Sequence, residues 1–266
     1  MHPGIIAAAT PDKIAYVMAE TGQTVTYAEL ERTSNQGAHL FRALGLQRGD
    51  HIALMLENHP RFFQICWAAQ RAGLYYTAIS WRLQQGEVEY IVNNCEARVF
   101  ITSRGRTEVA QALAGQVPGV EHAYMLDGTV PGYASWEEAI ASQPEHPIAD
   151  ESEGQSMLYS SGTTGYPKGV KRALPTEPYG SIPGLAVLNV LYGADADSIY
   201  LSPAPLYHAA PLGFTMTCLR QGTQVVVMEH FEPEAALRFI EQYRVTHSQW
   251  VPTMFVRMLK LAPEVR

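Results

Sequence analysis

Three features of the chain predict an α/β fold of mostly parallel sheets flanked by helices. Short apolar runs alternate with amphipathic stretches between residues 51 and 126, which is the pattern of successive βαβ units. The alternation stops over an acidic, proline-containing stretch and resumes beyond residue 150. The bulk composition agrees: at 266 residues, 47% hydrophobic and 17% charged, the chain can build one large core or two smaller ones.

The first segment, KIAYVMAETGQTVTY (13–27), predicts a hairpin with Thr21 and Gly22 at its turn. Thr26 and Glu29 have the T-x-x-E spacing of a capping box. The helix they open presents Leu30, Leu40, Phe41 and Leu44 and stops at Gly45. HIALMLE (51–57) reads as a short apolar strand, and Pro60 suits the first position of a helix that ends near Gly73. LYYTAIS (74–80), RVFIT (98–102) and HAYML (122–126) predict the next strands. Helices around Val88 to Asn94 and Thr107 to Leu113 separate them, and Ser135 with Glu138 caps a further short helix.

SQPEHPIADESEG (142–154) carries no hydrophobic period, so a boundary is placed there: a first α/β subdomain over 1–150 and a second over 151–266. The second set opens with a strand QSMLYS (155–160). It continues through strand SIYLS (198–202), helix Leu212 to Leu219, strand TQVVVM (223–228), helix Pro233 to Tyr243 and strand SQWVP (248–252). A helical stretch, TMFVRMLKLAPEVR (253–266), closes it.

Several function classes are excluded or disfavoured. A formal charge of -7 argues against nucleic acid as a partner, because phosphate neutralisation needs a basic face. Cys66, Cys95 and Cys218 form no C-x-x-C pair and read as buried thiols. The nine histidines show no metal-ligand spacing. The N-terminus lacks a basic leader, and no apolar run reaches the roughly 18 residues of a membrane span, so a cytoplasmic location is expected.

The stretch YSSGTTGYPKGV (159–170) concentrates two serines, two threonines, three glycines and one lysine behind an apolar strand. Glycines let a backbone approach phosphate closely, hydroxyls and N–H groups donate to its oxygens, and Lys168 supplies a cation. The sequence is not a Walker A motif, because Pro167 stands where that motif requires glycine.

This stretch resembles the phosphate-loop signature of the adenylate-forming superfamily: acyl- and aryl-CoA synthetases, adenylation domains and luciferases. Three other stretches are similar to the family in the same order: residues 26–60, residues 71–102, and LSPAPLYHAAPLG (201–213), which looks like its P-x-[FY]-H motif. The resemblance covers essentially the whole chain. It implies ATP-dependent, AMP-forming activation of a fatty or aryl carboxylic acid, then transfer to coenzyme A, with ATP, Mg2+ and coenzyme A as cofactors. Carrier-protein loading, or adenylate binding without turnover, are the alternatives.

The resemblance assigns the phosphates to Ser160, Ser161, Gly162, Thr163, Thr164, Gly165 and Lys168. Ser160 takes the place of the family's threonine, whose oxygen faces magnesium; it keeps the hydroxyl and loses the methyl. His208 falls where the family places a residue near the reacting carboxylate, which makes it the candidate catalytic and acid-binding residue. Tyr207 and Trp250 are read either as acid-pocket residues or as core. Lys171 and Arg172 are read as a solvated basic pair, and His247 as structural. The family's Y-G-x-T-E motif, its ribose-binding aspartate and its mobile C-terminal domain are not found in these 266 residues. The expectation is therefore an N-terminal portion, inactive alone, with apolar surface that invites self-association.

Overall fold

Residues 1–160, 167–181 and 191–265 are described in a computed structural model. Along the chain come α1 (Pro3–Ala9), β1 (Ile14–Met18), β2 (Thr24–Thr26), α2 (Tyr27–Ala43), β3 (His51–Met55), α3 (Phe62–Arg71) and β4 (Tyr75–Ala78). Next are α4 (Gln85–Asn94), β5 (Ala97–Ser103), α5 (Thr107–Ala112), β6 (His122–Leu126), β7 (Ala134–Ser135), α6 (Trp136–Ala141) and β8 (Gln155–Ser156). The remainder is β9 (Leu158–Ser160), β10 (Lys168–Val170), β11 (Ile199–Ser202), α7 (Ala209–Gln221), β12 (Gln224–Val227), α8 (Pro233–Tyr243), β13 (His247–Ser248) and α9 (Pro252–Leu259). None of the described helices is long and apolar enough to cross a membrane.

The strand–helix alternation produces two compact units, each with its own sheet. One comprises Arg32–Glu57 and Arg61–Gly180. Its six strands run in the order β7-β6-β5-β3-β4-β8, every neighbouring pair parallel. All five residues of β3 are buried, as are all ten of α3, because a parallel strand covered on both faces has no solvent side. Ala53, Met55, Val88, Ile91, Val92 and Phe100 form part of this core. Gly154 is required where the chain enters β8: a Cβ there would stand 2.5 Å from the Leu74 carbonyl and 2.8 Å from that of Ala69.

The other unit comprises Met1–Glu31, Asn58–Pro60 and Ser181–Arg266. Its sheet runs β13-β11-β12-β1-β2, parallel except for the β1–β2 hairpin. Val17, Leu201, Val226, Met228, Ala236 and Phe239 make its core. This differs from the expected cut near residue 150. Tyr16, Val17 and Met18 take Val225, Val226 and Val227 as parallel partners, so the N-terminal hairpin joins the late strands. Periodicity identifies strands but not partners so distant in sequence.

Local signals fare well. Thr26 and Glu29 form the expected box: Glu29 Oε2 accepts from the Thr26 N–H at 2.8 Å, and Thr26 Oγ1 from the Glu29 N–H at 3.1 Å. Ser135 Oγ accepts from the Glu138 N–H at 3.2 Å at the start of α6. Two readings change. The helix placed at Val88 starts earlier, because Gln84 and Glu87 make a second capping box. The single strand expected over 155–160 is two: β8 pairs with β4, then the chain changes partner at Met157 and β9 pairs antiparallel with β10.

Candidate functional site

β9 and β10 form a two-stranded hairpin, with Lys168 opposite Ser160, Gly169 opposite Tyr159 and Val170 opposite Leu158. Residues 161–167 join them; of these 161–166, with Ser161, Gly162, Thr163, Thr164 and Gly165, lie outside the described residues. The flanking pair, Ser160 and Lys168, is exposed. Ser160 Oγ is 3.5 Å from the Lys168 carbonyl, the outer limit of a hydrogen bond. None of the described residues pairs with the Lys168 ammonium.

The hairpin is mounted on the six-stranded sheet. Tyr159 packs against that core and donates its phenol to Asn94 Oδ1 at 2.5 Å; burial raises its pKa. Gly169 lets β10 lie against this leg, since a Cβ there would stand 2.7 Å from Met157 Cε and 2.9 Å from Tyr159 Cζ. Past β10, Lys171 Nζ is 2.8 Å from His51 Nε2 and 4.7 Å from the centre of the Tyr75 ring. The Tyr75 hydroxyl donates to the Arg172 carbonyl at 2.7 Å. Both members of the basic pair expected to be solvated are exposed, and Lys171 is in addition held by a histidine and a tyrosine contributed by distant strands.

The same unit places a second concentration of chemistry at the carboxyl ends of its strands. The chain leaves β3 for β4 on one side and returns to β5 on the other, so β3 and β5 flank the topological switch point, where open α/β sheets bind ligands. Ser103, ending β5, donates to the Glu57 carboxylate just beyond β3 at 2.8 and 2.9 Å. The Arg82 and Arg106 guanidinium carbons each stand 4.9 Å from the centre of the Trp81 ring. Arg106 Nε is 3.7 Å from Glu57. The sequence reading passed over this cluster; W-R at 81–82 and R-G-R at 104–106 directly after two predicted strands were the available signal.

Tyr207, His208 and Trp250 belong to the other unit. Tyr207 and His208 end the connection from β11 to α7, their ring centres 4.4 Å apart. His208 is exposed at the N-cap position of α7, whose first turn holds no acidic residue. Helix N-termini attract anions through their unpaired N–H groups. Trp250 follows β13, the parallel neighbour of β11, so it and the 203–208 connection leave the same edge of the sheet. Its indole is half-buried, 6.2 Å from the Phe231 ring and 5.9 Å from that of Phe255. Trp250 therefore borders the core and stays partly open.

One residue behind this connection escaped the sequence reading. Asn58 is 6% exposed; its Nδ2 donates to Met228 O at 2.7 Å and Ala204 O at 3.2 Å, and its Oδ1 accepts from Leu206 N at 2.8 Å. It thus fixes the backbone two residues before His208. A lone asparagine at a strand–helix boundary reads as an ordinary turn residue, so nothing in its neighbourhood announced this role.

An α/β protein thus carries a hydroxyl- and glycine-rich sequence on a hairpin packed against its parallel sheet. The chain belongs to the AMP-binding enzyme family, whose profile it matches over residues 6–266. A feruloyl-CoA synthase from Amycolatopsis sp is 33% identical over 241 residues, 88% of this chain and 45% of that protein. The 4-coumarate–CoA ligase 1 of Oryza sativa subsp. japonica is 31% identical over 256 residues, 90% of this chain and 44% of that ligase. The N-terminal domain of FACL13 from Mycobacterium tuberculosis superposes with a TM-score of 0.83 at 25% identity, covering 99% of this chain and 65% of that one. The chain spans about half the length of the curated relatives it matches.

Asn58→Ala is expected to destabilise the protein by about 2–4 kcal/mol, because it strands one buried N–H and two carbonyls. Urea unfolding of both proteins, with unchanged slope, checks this; a loss below about 0.5 kcal/mol removes Asn58 as the fixing group.

Proposed function

We propose that this chain carries the phosphate side and part of the acid side of an AMP-forming acid–CoA ligase. The observation that supports it most is the β9–β10 hairpin, which sets Ser160 and Lys168 at the two ends of a sequence rich in anion-binding groups. In the reaction, a carboxylate oxygen attacks the α-phosphorus of ATP, the α–β phosphoanhydride breaks and pyrophosphate leaves. The thiol of coenzyme A then displaces AMP from the acyl-adenylate. Such displacements are governed by positioning and charge stabilisation, so preorganised donors on the departing oxygens supply much of the effect. Ser161, Gly162, Thr163, Thr164, Gly165 and Lys168 take this role.

On the acid side, His208 donates to the carboxylate at the start of α7, and Tyr207 and Trp250 border an apolar acyl group. The names of the relatives favour an aryl or fatty acid with coenzyme A, rather than a carrier protein, as the acceptor. The Trp81–Arg82–Arg106 cluster suits the nucleotide end of coenzyme A, with guanidinium groups for phosphate and an indole face for the adenine. Magnesium binds such sites chiefly through the substrate's phosphates, and the Ser160 hydroxyl is the group of this chain that would face it; among the described residues no three His, Cys, Asp or Glu side chains come together. Location in the cytoplasm and self-association through the apolar face of α9, where Phe255, Val256 and Leu259 are exposed, belong to the same proposal.

Lys168→Ala and His208→Ala are expected to separate the two sides of the site. The lysine variant weakens ATP binding about ten- to a hundredfold at nearly unchanged melting temperature. The histidine variant leaves ATP affinity within about twofold and slows pyrophosphate exchange at saturating ATP about ten- to a hundredfold. Unaltered ATP affinity in the first, or an unaltered exchange rate in the second, returns that residue to structure. These comparisons use the enzyme that shows exchange activity.

Arg106→Ala is expected to raise KM for coenzyme A about tenfold while exchange, which needs no thiol, stays within about twofold. An equal effect on both steps removes the coenzyme A assignment.

The 266-residue chain by itself is expected to yield no acyl-CoA with ATP, magnesium, coenzyme A and a panel of carboxylic acids. Catalytic groups that act as a unit are far from additive, so an intact phosphate loop does not stand in for the rest. Mass spectrometry of AMP and thioester checks this, and sustained turnover overturns the partial-enzyme reading.

A further inference from the structure

We infer that Lys171 and His51 are positioning residues for the nucleotide, pinning the exit of the β9–β10 hairpin to the first residue of β3. The inference rests on residues 161–166 being the phosphate loop. Lys171 is surface-exposed overall, yet its ammonium is placed at 2.8 Å from His51 Nε2, across 120 positions of sequence. His51 is 5% exposed and lies stacked on Tyr75, ring centres 4.6 Å apart at 22°. Tyr75 therefore carries three loads: its face holds the imidazole, its ring lies 4.7 Å from Lys171 Nζ, and its hydroxyl holds the Arg172 carbonyl. Arg48 extends the mount by donating to the Pro175 carbonyl at 2.5 Å.

The protonation states follow from the geometry. An ammonium has no lone pair to accept with, so Nε2 accepts and the imidazole is neutral, its proton on Nδ1. That Nδ1 is buried and has no partner among the described residues. The groups facing His51 are Lys171, the Tyr75 ring, Asp50 and Glu96. Burial, then Lys171, lowers its pKa from 6.5 to about 4, against the smaller opposing pull of the two carboxylates. The folded value lies below the unfolded one, so protonation favours unfolding. In the folded protein the imidazole stays neutral and the bond persists until pH approaches 4; its stability contribution is full above pH 6.5 and falls as pH drops from 6.5 through 4.

A lysine tethered at the residue following β10 restrains Lys168, three positions earlier in the same extended run, and with it the ammonium proposed to bind phosphate. Lys171→Met keeps the aliphatic stem and removes the cation; His51→Phe keeps the ring on Tyr75 and removes the acceptor. His51→Gln restores an acceptor without the ring. Two measurements are made on each variant: amide hydrogen exchange without ligand, and ATP titration by calorimetry. The Met and Phe variants are expected to exchange about tenfold faster at Leu158–Ser160 and Lys168–Val170, with β3, β5 and β6 unchanged. ATP binding weakens about three- to tenfold, the double variant is no worse than either single one, and His51→Gln recovers most of the loss. If the lysine variant does not fold, the phenylalanine variant reports the same bond. The pH profile adds a further readout: the stability difference between parent and His51→Phe narrows from pH 6.5 to 4.

Unchanged exchange and unchanged ATP affinity overturn the inference. So does accelerated exchange spread over the whole sheet, or a glutamine variant as weak as the phenylalanine one. Faster hairpin exchange in a protein whose parent form binds no ATP upholds the anchor and overturns the nucleotide reading instead.

Discussion

Strand β3 is the constraint on which one of the two units depends. All five of its residues are buried, and both its edges are paired, so its backbone is satisfied only when β4 and β5 lie on opposite sides. That arrangement forces the chain to cross over β3, which creates the switch point at the carboxyl end. There Glu57, Ser103, Trp81, Arg82 and Arg106 gather. At the amino end, the same strand presents His51 to Lys171. One buried strand thus sets the position of both candidate ligand-holding regions of its unit.

The described residues of the 151–180 stretch show how a segment without hydrophobic periodicity is tied to a sheet. It enters by adding β8 to the free edge of β4, with the Ser152 N–H on the Arg71 carbonyl and the Gly154 N–H on the Gln70 carbonyl. It leaves with the Gly180 N–H on Glu153 Oε1 at 2.8 Å. Between these points the hairpin turns out from the sheet, anchored through Tyr159 on one leg and Lys171 on the other. Rigid legs suit the phosphate role proposed for this loop, because donors held in place before a ligand arrives need no reorganisation when it binds.

In the other unit the equivalent constraint is the parallel register of β1 on β12 and β12 on β11. Connections leaving the same edge then carry the acid-side candidates, and Asn58 locks one of them by satisfying three backbone groups at once. Its amide is matched on both its donor and acceptor sides. That is why a residue distant in sequence from His208 governs the backbone beside it.

Much was legible in the chain itself because it rests on local chemistry. The caps at Thr26–Glu29 and Ser135–Glu138 depend on neighbours three residues apart, and the apolar runs of β3, β5 and β12 depend on burial of both faces. The phosphate-loop signature and the P-x-Y-H stretch are contiguous, so their likeness to the AMP-binding family needs no fold to be seen. Strand partners were not legible. β1 pairs with β12 and the 155–160 run splits between two partners because long-range pairing is chosen by the whole sheet, not by the strand's own residues. The same holds for Lys171 with His51, for Arg106 with Trp81, and for Asn58 with the backbone before His208. Each is a contact between residues that sequence separates and only the sheet topology brings within a few ångströms.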